Sequence, residues 1–290
     1  VSAHPDALYR LLRALATLGV LDETPDGRFS LAATGELLRS DVSGSMRNVA
    51  LLYGEDWLWR AYGNMLYSVR TGEPAFSATH GQGFYEFLDH HETAAAIFQA
   101  AMDDFSITEA AAILGAYRFD DVRSVVDAGS GRGALLASIL QAHPQLRGVA
   151  FDMPSAQAEC MRRFGDAGLI DRATFVGGDF FRALPEGHDL YLLKSVLHNW
   201  DEAAATRILE VCREAISPAG RLLIIERVIS EGQQSAEAKL FDINMLVIAG
   251  GRERPGEEYG RLLTNARFAL TRMVPTASPL TIIEAVPVTE

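Results

Sequence analysis

VVDAGSGRG, from Val125 to Gly133, decides the fold. It reads as an apolar strand end, a turn with glycines at 129, 131 and 133, and, with ALLASIL behind it, the start of an apolar helix. Glycines in such a turn permit unusual backbone angles and let the chain approach a ligand closely, while the helix aims its first amides into the same crevice. Alone the stretch is ambiguous, because Gly129, Gly131 and Ala134 also satisfy the relaxed dinucleotide fingerprint G-x-G-x-x-G/A. Asp127 separates the two. A carboxylate at this strand end repels a pyrophosphate but suits a ligand carrying an ammonium and a sulfonium, so S-adenosyl-L-methionine is expected ahead of a nicotinamide dinucleotide.

Towards the C-terminus, strand-like and helix-like runs alternate, the pattern of an α/β domain with a mostly parallel sheet. GVAFDMP ends on Asp152, where a carboxylate can accept from both ribose hydroxyls of either cofactor. ATFVGGDFF ends in Gly178, Asp179 and Phe180, an acid and an aromatic suited to the amino group and face of an adenine. DLYLLKSVLHNW places Lys194 and His198 just past the fourth strand, with Asp201 as N-cap of the next helix. A histidine there is a general-base candidate, since an ordinary pKa of ~6.5 leaves it neutral at neutral pH. GRLLIIERVI ends at Glu226, and because adjacent parallel strands end side by side, its carboxylate is expected to reach the imidazole and fix its tautomer. The other six histidines (4, 80, 90, 91, 143 and 188) are expected to be solvated or capping groups.

Towards the N-terminus the pattern is helical, and the shift in composition divides the chain into residues 1–104 and 105–290. In the run from Glu92 to Tyr117, Phe98, Met102 and Phe105 fall on one helix face, which on period alone is a core-facing stripe. The first forty residues read as an amphipathic helix ending near Gly19, a Pro-Asp-Gly turn between short apolar pieces, and a further helix, resembling a winged helix-turn-helix. Residues 1–41 carry four arginines, no lysine and six acids. That balance is wrong for phosphate binding and leaves dimerisation or packing.

The whole chain agrees: 290 residues, 48% of them hydrophobic, can bury a sizeable core, and a net charge of −12 argues against a nucleic-acid partner. The two cysteines, Cys160 and Cys212, lie in helical segments and suggest neither a disulfide framework nor metal-ligand spacing. No apolar run approaches the ~20 residues that span a bilayer. The chain starts at Val1 rather than Met, so a preceding segment or removed targeting signal stays open, and the cytoplasm is the default expectation. The polar stretch SEGQQSAEAK, residues 230–239, reads as a loop entering a helix.

Taken in order, DAGSGRG, FDMP, GGDFF, LLKSVLHNWDE, LLIIERVI and FDINMLVIAGGRERP resemble the S-adenosylmethionine-dependent small-molecule O-methyltransferases, a family that includes plant caffeic acid enzymes and bacterial antibiotic-tailoring enzymes. The resemblance runs over nearly the whole chain. It implies a Rossmann-like domain with a mostly parallel seven-stranded sheet behind a mainly helical, winged-helix-like dimerisation domain. The implied activity (EC 2.1.1) moves a methyl group to a hydroxyl of a small aromatic, phenolic or quinone natural product, without a metal, leaving S-adenosyl-L-homocysteine. A homodimer with no membrane or nucleic-acid partner is implied too. Carried over by residue, Asp152, Asp179, Phe180 and Lys194 hold the cofactor, beside Asp127, Gly129, Gly131, Met153 and Gly178. His198 is the base, flanked by Glu226 and Glu253. Phe98, Met102 and Phe105 match the acceptor-lining helix, which revises the core-stripe reading, and Asn244 and Met245 are further lining candidates. Ser130 and Arg132 depart from the plant loop. Retention of His198 counts against relatives that have drifted to hydroxylation or decarboxylation on the same scaffold. Such an enzyme, an NAD-dependent oxidoreductase and a winged-helix regulator are the alternatives.

Overall fold

A computed structural model describes residues 2–42, 44–230 and 236–288; residues 231–235, the middle of the polar stretch, lie outside the described residues. The N-terminal part contains α1 (Pro5–Thr17), β1 (Leu21–Glu23), β2 (Phe29–Leu31), α2 (Ala33–Glu36), α3 (Arg47–Tyr53), α4 (Asp56–Gly63), α5 (Met65–Thr71), α6 (Ala75–His80), α7 (Phe84–His90) and α8 (Glu92–Ala116). There follow β3 (Ser124–Ala128), α9 (Ala134–Ala142), β4 (Arg147–Asp152), α10 (Gln157–Asp166), β5 (Ala173–Gly177), β6 (Leu190–Lys194), α11 (Glu202–Ala215), β7 (Arg221–Ile229), α12 (Ala236–Ile248), β8 (Arg254–Pro255), α13 (Gly256–Asn265), β9 (Phe268–Pro275) and β10 (Leu280–Pro287).

Packing groups these elements into two units, Val1–Glu55 with Glu92–Phe105, and Asp56–His91 with Ser106–Glu290. The compositional division at 104/105 thus falls inside α8, and the helices of 56–91 belong with the sheet. In the first unit, α1 starts on Pro5 with Asp6 in its first turn, which suits the positive end of the helix dipole. β1 and β2 pair antiparallel across the Pro-Asp-Gly turn, where Gly27 takes a φ of 75°. The amides of Asn48, backbone and side chain, donate to Asp104 of α8 at 2.9 and 3.1 Å.

In the second unit the strands lie in the order β5-β4-β3-β6-β7-β10-β9, with two-residue β8 on the end of β7. β3 to β7 run parallel, and β10 is antiparallel to both β7 and β9. The central strands are continuously apolar because both faces are covered. Val126, Tyr191, Leu193 and Ile224 pack with α11 and α13, while Val125, Leu190, Leu192 and Ile225 pack with α9 and α10. From β3 the chain builds outward through β4 and β5, then returns to β3's other side with β6. That reversal opens a crevice at the carboxyl ends of β3 and β6, where such sheets hold ligands.

Cys160 and Cys212 are buried, unpaired residues of α10 and α11. One histidine corrects expectation. His80 packs on the Phe76 ring with Nε2 at 2.9 Å from the Trp57 carbonyl, claimed by the aromatic cluster of α4, α6 and α7. His91 is exposed at the junction of α7 and α8, its Nδ1 2.7 Å from the Phe87 carbonyl in the last turn of α7, as a capping group would be. Among the described residues no helix is long and apolar enough to cross a membrane.

Candidate active site

The three glycines after β3 all take left-handed angles, φ 80°, 54° and 71° at 129, 131 and 133. Their surroundings differ. A Cβ on Gly129 would lie 2.6 Å from Val196 Cγ2, and one on Gly133 2.7 Å from Cys160 Sγ, so packing closes both positions. At Gly131 a Cβ would meet nothing within 4 Å, and bare backbone faces open space. Beside it, the Ser130 hydroxyl is buried without a hydrogen-bond partner among the described residues.

Asp152, at the end of β4, is aimed at this loop, accepting from the amides of Gly131 and Met153 at 2.7 Å each. Each oxygen keeps acceptor capacity for a ligand. Burial lifts this carboxyl, and the two amides pull it back. The Met153 side chain is exposed. Asp127 is 2% exposed. Burial raises its carboxyl to about 7, against the pull of Lys194. Past β5, Asp179 accepts from the Phe181 amide at 2.9 Å, and the Phe180 ring edge lies 3.9 Å from a Cβ built on Gly129. Gly178 has a packing reason of its own, since a Cβ there would meet the Phe151 ring at 2.6 Å. A buried hydroxyl, a buried carboxyl and a bare backbone cradle fit a cationic ligand with ribose hydroxyls. Lys194 is already engaged, at 2.7 Å from Glu109 Oε2 and 3.3 Å from Ser106 Oγ of α8.

Beyond β6, Ser195 takes a φ of 54°, rare for a residue with a Cβ, and turns the chain into a single 3₁₀ turn over Leu197–Asn199. Glu226 secures that turn. Lys194 is in register with Ile225, so Glu226 follows directly, fully buried; β7 runs on to Ile229 through its pairing with β8 and β10, so the strand does not end at Glu226 as its sequence suggests. Its Oε1 accepts from the amides of Val196, Leu197 and His198 at 3.0, 2.9 and 3.4 Å.

His198 Nδ1 lies 2.8 Å from Glu253 Oε1 and 3.5 Å from Glu226 Oε2. The tautomer-fixing contact expected from Glu226 is therefore made more closely by Glu253, because Glu226 commits one oxygen to the backbone. With the Nδ1 proton turned to the carboxylates, Nε2 keeps its lone pair. Burial pulls the imidazole down, but the charge of Glu226 with the hydrogen bond and charge of Glu253 outweigh it, and its pKa is raised. Burial also raises Glu226. The three donor atoms lie within 4.8 Å of one another, as in a metal site, yet a shared proton already accounts for the 2.8 Å pair.

Glu253 is delivered by a loop in close contact with the turn. The Arg252 amide donates to the His198 carbonyl at 2.8 Å, and the Glu253 amide to Asp242 Oδ1 at 2.8 Å. Gly251 is required there, because a Cβ would lie 2.1 Å from the His198 oxygen. Met245 is buried with its Cε against Gly251, and Asn244 accepts from the Tyr62 hydroxyl. Phe98, Met102 and Phe105 are half-buried on α8 within the first unit.

Sequence reasoning missed Tyr85, whose hydroxyl donates to Asn199 Oδ1 at 3.0 Å, and the buried residues Glu109 and Arg227. The signal for the last two was present. A charge inside an apolar run, as in ITEAAAIL or LLIIERVI, demands a partner.

A family model described as an O-methyltransferase domain matches residues 62–269. The phenazine O-methyltransferase PhzM of Lysobacter antibioticus is 40% identical over 99% of this chain and 84% of its own. The solved structure of the mitomycin 7-O-methyltransferase MmcR matches with a TM-score of 0.89 at 36% identity, covering 98% of this chain and 84% of that one. The O-methyltransferase NcsB1 from neocarzinostatin biosynthesis, solved in complex with S-adenosylmethionine and 2-hydroxy-5-methyl naphthoic acid, matches with a TM-score of 0.82 at 33% identity over 99% of this chain and 86% of that one.

Proposed function

Because this chain belongs to the S-adenosylmethionine-dependent O-methyltransferase family, we propose that it methylates a hydroxyl of a small aromatic, phenolic or quinone natural product in secondary metabolism, with His198 as general base. The observation that carries the assignment is a buried imidazole whose Nδ1 is held by Glu253 at 2.8 Å while Nε2 has no partner among the described residues, beside the crevice at the switch of strand order.

Asp127, Ser130, the Gly131 backbone and Asp152 are the groups that would hold S-adenosylmethionine, with Asp179 and Phe180 at its adenine. When bound, the cofactor supplies an electrophilic methyl group on a sulfonium. Nε2 of His198 takes the acceptor's hydroxyl proton, and the oxygen keeps the electron pair as nucleophile. The imidazolium that forms is stabilised by Glu253 and Glu226. A phenol with a pKa near ~10 is a reluctant donor to this base, which still contributes ~10²–10⁴-fold. Alignment of the reacting atoms adds ~7–11 kcal/mol.

A homodimer is part of the same proposal. It is supported by α1, none of whose residues is buried and on which Leu11 is 56% exposed. The cytoplasm remains the proposed location. A DNA-binding role for the first unit is disfavoured by its charge balance.

The test is His198→Ala. Calorimetry should show S-adenosylmethionine binding retained, while labelled-methyl transfer falls at least ~100-fold. Unchanged turnover would overturn the assignment.

A further inference from the structure

A buried row of charges runs between the cofactor crevice and the imidazole, and the proposed chemistry does not use it. Glu109 of α8 is 4% exposed. Its Oε2 is 2.7 Å from Lys194 Nζ, and its Oε1 accepts from Arg227 Nη2 at 3.2 Å. Arg227, also 4% exposed, lays its guanidinium 4.1 Å from the Phe241 ring centroid, and Phe241 stacks on His198 at an interplanar angle of 14°. β3, β6 and β7 are sheet neighbours, with Asp127 near the end of β3, Lys194 at the end of β6 and Arg227 within β7, just past the register partner of Lys194. Glu109 reaches the two cations from the helix.

Two desolvated cations sharing one carboxylate are a poor way to stabilise a fold, because well-packed apolar residues of similar volume do as well or better. Charge itself is then the useful property. We propose that Glu109 is a positioning residue that sets the charge balance of the crevice, holding Lys194 and Arg227 so that a cationic methyl donor is tolerated beside them. The proposal rests on the methyl-transfer assignment above. S-Adenosylmethionine and S-adenosylhomocysteine share adenine, ribose and amino-acid groups and differ by one methyl group and one positive charge. The ratio of their dissociation constants therefore cancels the shared contacts and reads the local charge. In an effective dielectric of about 20, one unit charge acting over roughly 10 Å alters a binding constant on the order of tenfold.

Calorimetry with both ligands on the wild-type chain, E109Q, E109D and R227M tests this. E109Q should weaken S-adenosylmethionine about tenfold more than S-adenosylhomocysteine. E109D, which keeps the charge, should return the ratio towards wild type, and R227M, which removes a cation, should shift it in the opposite direction. If E109Q does not fold, the sign of the R227M shift decides. Equal losses for both ligands in E109Q, or an R227M ratio that stays put, would overturn the proposal and leave Glu109 a packing residue. A wild-type chain that binds neither ligand would instead strike the methyl-transfer assignment.

Discussion

Glu253→Gln should slow methyl transfer while moving its pH dependence in the direction that, by itself, would favour activity near neutrality. The substitution keeps shape and removes one negative charge 2.8 Å from His198 Nδ1. Both residues are buried, at 3% and 6% exposure, so solvent does not screen the contact. A buried hydrogen bond to a charged partner contributes ~1.5–3 kcal/mol, which at ~1.4 kcal/mol per decade predicts a kcat lower by about ten- to a hundredfold. Glu226 cannot substitute, since its Oε2 is 3.5 Å from Nδ1 and its Oε1 serves the turn amides. Turnover requires the neutral imidazole. Burial lowers the pKa of His198 and the two carboxylates raise it beyond that loss, so removing one anion lowers it again. The acid limb of the kcat profile should therefore move to lower pH while the plateau falls. Labelled-methyl transfer at saturating substrates between about pH 5 and 9, with thermal melts to confirm folding, measures both. A plateau within about twofold of wild type, or an acid limb displaced to higher pH, would refute the role given to Glu253.

Burial raises the Asp127 carboxyl to about 7, opposed by Lys194 and reinforced by Asp152. A cation selects its ionised form, so S-adenosylmethionine affinity measured by calorimetry should climb as pH rises through about 7 and level off above, and Asp127→Asn should weaken binding and flatten the slope. Gly129→Ala combines a φ of 80° with a 2.6 Å approach to Val196 Cγ2; it should cost ~1–3 kcal/mol and lower the melting temperature by several degrees. Gly131→Ala, with open space around it, should cost less stability than Gly129→Ala in the same melts.

What was legible in the sequence was local. The β3–α9 turn could be read because its determinants, an apolar run, three glycines and a second apolar run, adjoin one another. Asp152, Asp179, Lys194 and Glu226 could be placed because each closes or follows an apolar stretch. The cap at Asp201 was legible for the same reason, and its Oδ1 accepts from the Ala204 amide at 2.8 Å. Pairings across the chain were not. Nothing near His198 in sequence announces Glu253, which only the family resemblance supplied, and Glu109 meets Lys194 and Arg227 through folding alone. The helices of 56–91 look like those before them, since amphipathic periodicity tells that a face is covered and not which element covers it.

Glu226 uses its two oxygens for different purposes, one fastening the turn after β6 and the other facing the imidazole. The consequence is evolutionary. A descendant can discard His198 or Glu253 and keep the turn, and with it an intact crevice free to take up other chemistry. Losing Glu226 would release three amides in a buried site at once. Lineages that abandon methyl transfer on this scaffold should therefore shed the imidazole first and keep the carboxylate that serves as its pedestal.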